Sequence, residues 1–171
     1  HSIGRGGNRN RSPRRFPHME DKSFIHLLSA FEKERGWVKY QIDSFNNFVD
    51  FSIQKIMEEV GIIKLPSEAG ELKLRFGKVE IGKPTIKEAD GSLRSIFPNE
   101  ARMRNLSYLA PVYIDVIPIT GEVEEKPERV NIGEIPVMVR SKLCNTYKMV
   151  GQDLVTADED PSDPGGYFII N

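Results

Sequence analysis

Apolar residues at helical spacing mark the start of the folded part of the chain. From Asp21 they recur at i, i+3, i+4 and i+7, as Phe24, Leu27, Leu28 and Phe31. This spacing predicts an amphipathic helix that ends near Gly36. A second helix is expected to start within residues 38–41 and to run to about Val60, before the stop signal Gly61.

The second helix carries an apolar stripe, which consists of Phe45, Phe48, Val49, Ser52, Ile56 and Val60. Phe51 and Ile53 lie partly off this stripe. We therefore expect the helix to pack on more than one side.

Alternation replaces the helical period in the middle of the chain. Apolar and charged residues alternate over 71–76, Gly77 shifts the phase, and the alternation resumes over 79–81. This pattern predicts a strand with a bulge. A turn is expected at 89–92, and a short helix over 98–105 with a proline in its first turn.

The remaining pattern predicts strands joined by polar segments. Alternation over 112–116 and an apolar run over 130–139 indicate strands, separated by a solvated acidic loop at 121–129. Residues 167–170 read as a terminal strand with no turn after it, so the polypeptide looks cut. The predicted class is α+β, with two N-terminal helices packed on a mixed, mainly antiparallel sheet.

Composition is that of an ordinary globular protein, but charge is uneven. The 171 residues fit one domain and carry a net charge of −1. Residues 1–18 hold five arginines and no acid, so the rest has 19 basic residues against 25 acidic ones, a balance of −6. Residues 1–18 are expected to be a disordered basic leader of vector origin, with a cloning junction at His18-Met19. The alternative is an arginine-rich arm that binds RNA or DNA.

Cysteine usage and hydropathy exclude several classes. The single cysteine, Cys144, rules out an internal disulfide and a multi-cysteine zinc site, and it suits a reducing cytoplasm. The longest apolar stretch, 109–119, is interrupted by Asp115 and two prolines. We therefore expect no membrane span.

Acidic residues cluster late in the chain, as Asp158, Glu159, Asp160 and Asp163. Prolines and glycines surround them, which predicts a loop, and their spacing misses the calcium-loop register. A solvated loop is expected here rather than a metal site. His26 and Cys144 could form a nucleophile pair, but no third residue supports one. Gly82-Lys83 lacks the spacing of a phosphate loop.

Cations near the predicted elements allow two interpretations. Glu100 and Arg104 stand at i, i+4 and can pair, whereas Arg102 and Arg104 cannot share a helix face. Arg140 and Lys142 follow a strand, where loop cations often meet phosphates, so phosphate contact and plain solubility are equally open. The residues alone indicate an α+β domain without a visible active site.

Five phrases, in order, carry a family resemblance. They are QIDSFNNFVD at 41–50, FGKV at 76–79 with KP at 83–84, PNEARMRNLSY at 98–108, GEIPVM at 133–138 and GYFIIN at 166–171. Together they resemble the N-terminal part of the second-largest subunit of multi-subunit DNA-directed RNA polymerase, over about residues 21–171. Ser107 stands where threonine is usual and Leu109 where serine is usual. The short loops favour an archaeal-type subunit.

The resemblance implies a place in a large enzyme. Residues 19–171 would be the first half of the protrusion domain, truncated before the lobe, with an exposed apolar patch and an open strand edge. The domain would form one wall of the DNA cleft and a docking face for initiation factors such as transcription factor B. Its partners would be the other polymerase subunits, especially the largest, together with DNA and the DNA–RNA hybrid.

The resemblance also assigns residues. No catalytic residue, metal ligand or cofactor is expected in this segment, since the magnesium of the assembled enzyme is bound elsewhere. The matching motif implies an architectural role for Arg102, Arg104, Asn105 and Tyr108. We predict that Lys83, Arg140 and Lys142 face nucleic acid, through phosphate contacts that weaken with salt.

Two other functions remain open on the sequence. One is a stand-alone nucleic-acid-binding module that uses the arginine-rich arm 1–18. The other is a small metal-dependent hydrolase that uses the acidic cluster 158–163.

Overall fold

A computed structural model describes residues 21–68 and 70–171, so the predicted leader 1–18 lies outside the described residues. The chain divides into two compact units, residues 1–34 and 35–171. Helix α1 (Asp21–Asn47) continues through Gly36, and the helix end expected there is therefore wrong. A glycine inside a helix costs only about 1 kcal/mol relative to alanine, which does not by itself stop a helix.

A π-helical turn (Phe48–Ser52) joins α1 to helix α2 (Ile53–Val60). A π turn holds one extra residue. In the helix after it, the side chains that face inward are therefore shifted by one position along the sequence from those expected for a straight helix. Ile56 and Val60, expected to face inward, are 50% and 48% exposed, whereas Ile53 and Met57 are half-buried. The helix ends as expected at a glycine with positive φ, Gly61.

Seven strands and two short helices follow: β1 (Ile62–Ser67), β2 (Gly70–Ile81), β3 (Thr85–Lys87), β4 (Leu93–Ser95), α3 (Pro98–Met103), β5 (Leu109–Thr120), β6 (Val123–Glu124), β7 (Glu128–Pro136) and α4 (Gln152–Thr156). The five-stranded sheet has the order β1-β2-β5-β6, and β7 also pairs with β5. β3 and β4 form a separate hairpin around the predicted turn. Every pairing among the described strands is antiparallel. The α+β prediction is confirmed.

The predicted bulge in β2 is present. The register between β2 and β5 shifts between Phe76 and Val79. Gln54 of α2 completes this bulge, because its side-chain amide donates to the Gly77 carbonyl at 3.2 Å and accepts from the Val79 N–H at 2.9 Å. Two backbone groups that the bulge leaves without strand partners are thereby satisfied.

The terminal strand expected at 167–170 is absent. This segment accepts single backbone hydrogen bonds from two different places, Tyr108 N–H to Ile169 O and Val139 N–H to Tyr167 O, each at 2.9 Å. Isolated bonds to separate segments do not make a ladder. Strand β1, in contrast, was not apparent from the sequence, because its residues do not alternate and include Pro66.

The core lies where α3, the start of β5 and the chain after β7 meet. Its buried members are Ile96, Ala101, Tyr108, Ala110, Val137, Leu143 and Cys144. Phe45 and Val49 of the helical segment and Ile169 of the terminal segment pack against them. Segments that are distant in sequence therefore share one core.

Candidate nucleic-acid interface

Asn105 ends helix α3. Its backbone has φ +51°, and its N–H donates to Arg102 O at 3.2 Å while Leu106 N–H donates to Ala101 O at 2.8 Å. These two bonds form a Schellman motif, in which a left-handed residue follows the helix and asparagine is the best choice after glycine. Asn105 therefore ends α3 through its left-handed backbone.

Arg104 joins a four-charge network with Glu88, Arg94 and Glu100. Its Nη1 lies 3.2 Å from both Glu88 Oε1 and Glu100 Oε1, and Arg94 Nη2 lies 2.7 Å and 2.5 Å from the same two oxygens. Hydrogen bonds from Arg104 and Arg94 lower the pKa of Glu88, and those from Arg94 lower the pKa of Glu100. The predicted Glu100–Arg104 pair exists, within a network that ties the β3–β4 hairpin to α3.

Arg102 points the other way and holds the terminal segment. Its guanidinium lies 3.4 Å from Asp163 Oδ2, hydrogen-bonds the Tyr167 hydroxyl and stands 5.3 Å from the centre of the Tyr167 ring. The Tyr167 hydroxyl in turn donates to Asp163 Oδ2 at 2.5 Å. The two arginines of the motif thus serve different parts of the fold, as their i, i+2 spacing requires.

Tyr108 is fully buried. Its hydroxyl accepts a hydrogen bond from Asn145 N–H at 3.0 Å and lies 3.4 Å from Cys144 Sγ, which is 3.0 Å from Thr146 Oγ1. Burial, with the nearby thiol, raises the pKa of Tyr108 well above its usual value. Cys144 therefore makes its polar contacts inside the core.

The acidic loop forms bonds within the protein. Glu159 Oε1 accepts from Asn99 N–H at 2.7 Å, the first free amide of α3 after Pro98, and thereby caps this helix. Burial raises the pKa of Glu159 despite this bond. Asp160 accepts from Ser162, and Asp163 bonds Arg102, as above. Among residues 21–68 and 70–171, no group of three or more potential ligands is placed to hold a metal ion.

Lys83 and Lys142 come together although 59 residues separate them. Lys83 Nζ donates to the Lys142 carbonyl oxygen at 2.5 Å, and both side chains are exposed. Lys142 Nζ pairs with Asp50 of the π-helical turn, and this hydrogen bond raises the pKa of Lys142. Two of the three predicted phosphate contacts therefore share one surface.

Arg140 is oriented differently. It has φ +71°, is half-buried, and donates from Nη2 to Asp160 O at 3.0 Å. It lines an open pocket of about 400 Å³ together with Tyr147, Lys148 and Leu154. The structure thus gives Arg140 a role in holding the acidic loop, separate from the Lys83–Lys142 surface.

Two residues of this surface were not identified from the sequence. Asn46 Oδ1 accepts from Lys142 N–H at 2.8 Å, and Asp50 pairs with the Lys142 ammonium group. Both lie in the QIDSFNNFVD phrase, which predicts a helix and carries part of the family resemblance but assigned neither residue to a site. Asn46 and Asp50 stand four residues apart, which places them on one face of the helix. This spacing is the feature of the sequence that could have identified them.

No helix in the described part of the chain is long and apolar enough to cross a membrane.

Comparison with known proteins gives a consistent family. A model described as RNA polymerase beta subunit matches residues 36–171. The DNA-directed RNA polymerase subunit Rpo2N of Methanocaldococcus jannaschii is 48% identical over 149 residues, covering 85% of this chain and 30% of the relative.

Longer relatives match an equal share of the chain. Subunit Rpo2 of Saccharolobus solfataricus is 42% identical over 145 residues, covering 85% of this chain and 13% of its own length. RNA polymerase II subunit RPB2 of Encephalitozoon cuniculi is 39% identical over 158 residues, covering 85% and 14%. The chain thus spans under a third of the length of these relatives.

Proposed function

Because this chain belongs to the RNA polymerase beta subunit family and corresponds to a segment of the second-largest subunit, we propose that it forms one wall of the DNA cleft. In this role it is a non-catalytic part of a nucleotidyltransferase in an archaeal-type cytoplasm. Magnesium is held by other parts of the assembled enzyme. The segment contributes shape and positive charge beside the nucleic acid.

One observation carries the nucleic-acid part of this proposal, which is the meeting of Lys83 and Lys142 on one exposed surface. The chain as a whole is slightly acidic, so phosphate contact requires a local group of cations. The Lys83 ammonium group lies against the backbone of Lys142, so two exposed lysines on neighbouring loops can provide such a group without any base readout. Binding through them is independent of sequence and falls with salt.

The test is the salt dependence of DNA binding. Fluorescence anisotropy of a labelled duplex is measured against KCl for the wild type and for Lys83→Gln and Lys142→Gln. Loss of the Lys83 contact is expected to reduce the slope of log K against log salt by about 0.9. Lys142→Gln is expected to reduce it by less, because Asp50 already pairs with Lys142. Lys126→Gln, in the exposed acidic loop after β6, removes the same charge and should leave the slope unchanged.

Equal slopes for all three variants would contradict the cleft-wall proposal. Deleting residues 1–18 separates it from the second hypothesis, the stand-alone module. The module hypothesis predicts that all affinity disappears with the arm, whereas the cleft wall keeps its dependence on Lys83 and Lys142. The arm itself lies outside the described residues.

Other polymerase subunits, above all the largest, and initiation factors such as transcription factor B are the proposed protein partners. The exposed edge at strand β1 supports a protein partner at this surface. Among the described strands β1 pairs only with β2, and the side chains of Ile62 and Leu65 are 52% and 39% exposed. Exposed apolar edges of this kind are normally covered by other chains. Reconstituted polymerase carrying Ile62→Lys should lose subunit or factor association, read by native gel.

A further inference from the structure

The loop that carries Lys142 is held in place by three kinds of bond. The Lys142 N–H donates to Asn46 Oδ1 at 2.8 Å, and its carbonyl accepts from Lys83 Nζ at 2.5 Å. The same loop turns on two further backbone bonds, Ser141 N–H to Met138 O and Cys144 N–H to Ser141 O. The backbone position of Lys142 is thus fixed without its side chain.

The Lys142 side chain bonds a carboxylate instead. Its ammonium group pairs with Asp50 Oδ2, and the two side chains are 45% and 31% exposed. An exposed pair of this kind contributes little to stability, and its members exchange partners easily. The pair therefore occupies the cation without being needed to hold the loop.

We propose that Asp50 is a built-in competitor of nucleic-acid phosphate for Lys142, so that it sets the affinity and salt dependence of this surface. This inference rests on the proposed function, because it requires Lys142 to meet phosphate. A phosphate that reaches Lys142 displaces the Asp50 carboxylate. The π-helical turn places Asp50 in reach, since it offsets this part of the helix.

Competition has a measurable signature. In the wild type, Asp50 neutralises Lys142 before binding, so the exchange of carboxylate for phosphate releases little salt. With Asp50→Asn the ammonium group becomes an ordinary phosphate contact, and the salt slope should steepen by up to about 0.9. At low salt the dissociation constant should fall by up to about fivefold, the strength of a typical surface pair.

A matched control separates competition from net charge. Asp43 lies on α1, is exposed, and has no hydrogen bond or ion pair to the residues that the structure describes. Asp43→Asn removes the same charge from the same helical segment. It should change the affinity only slightly and leave the slope unaltered, because it frees no cation.

The experiment measures duplex binding by the full chain for the wild type, both aspartate variants, Lys142→Gln and the Asp50→Asn/Lys142→Gln double variant. The arm 1–18 is constant throughout, so its contribution cancels in the comparison. We expect Asp50→Asn to bind the duplex more tightly and with a steeper salt slope than the wild type. The double variant should show neither change. Unfolding curves identify a variant that fails to fold, and Asp50→Ser then replaces Asp50→Asn.

The outcomes distinguish the two proposals. If the double variant keeps the slope of Asp50→Asn, Lys142 makes no phosphate contact and the proposed function of Lys142 is wrong. If Lys142→Gln lowers the slope but Asp50→Asn equals Asp43→Asn, the contact stands and competition is wrong. Weaker binding by Asp50→Asn would also overturn competition, because Asp50 would then position Lys142.

Discussion

At Gly165 the backbone conformation and the close packing both require glycine. Its φ is +73°, and a Cβ placed on it would lie 2.5 Å from the carbonyl oxygen of Val139 and closer still to the Arg140 side chain. The same carbonyl accepts from Gly166 N–H at 3.0 Å. Backbone is the obstacle, so a side chain cannot simply rotate away.

We predict that Gly165→Ala lowers the free energy of unfolding by about 1–5 kcal/mol. A left-handed conformation costs an L-residue about 1–2 kcal/mol. Forcing atoms into an occupied space adds about 1–3 kcal/mol. The stiffer unfolded chain returns about 0.4–1 kcal/mol.

Gly91→Ala is the matched control. Gly91 has a similar φ of +85°, but a Cβ there meets nothing within 4 Å. Its loss should be about 1 kcal/mol or less, since only the backbone and unfolded-state contributions remain. Urea unfolding followed by circular dichroism gives both values. Equal losses in the two variants would refute the claim that the terminal segment packs tightly against Val139.

Two further predictions concern the ends of α3. Asn105→Gly should be neutral or slightly stabilising and Asn105→Ala should cost about 1 kcal/mol, because the position is left-handed; equal melting temperatures would contradict this. Burial raises the pKa of Glu159 in the folded state, so its contribution is full below the usual value of about 4.3 and is lost as pH rises through the raised pKa. Glu159→Gln keeps an acceptor for Asn99 N–H but cannot ionise. When the free energy of unfolding is measured against pH, the stability of this variant should therefore increase relative to that of the wild type as pH rises.

Local patterns predicted those elements whose cause is local. Gly61 ends α2 and Gly77 marks the bulge, because a positive φ and a phase shift are properties of a few neighbouring residues. The end expected at Gly36 failed because a single glycine is a weak signal beside a continuing helical pattern. The terminal strand predicted at 167–170 was wrong, because the partners of this segment are distant in sequence and apolar residues alone do not specify a ladder.

The candidate site shows the same division. Lys142 follows a predicted strand, where loop cations often meet phosphates, so a sequence can indicate its chemistry. The contact between Lys83 and Lys142 could not be predicted from the sequence, because it depends on how two loops approach each other. Arg140 had the same local signal as Lys142, yet its left-handed backbone directs it to the acidic loop.

The π-helical turn links these results. One extra residue within Phe48–Ser52 changes which side of the following helix faces the sheet. It brings Gln54 opposite the β2 bulge, where the amide satisfies Gly77 and Val79, and it leaves Asp50 directed at Lys142. A straight helix would turn Gln54 about 100° away and leave the bulge groups unpaired. The same local irregularity therefore secures the helix on the sheet and places the carboxylate that pairs with Lys142.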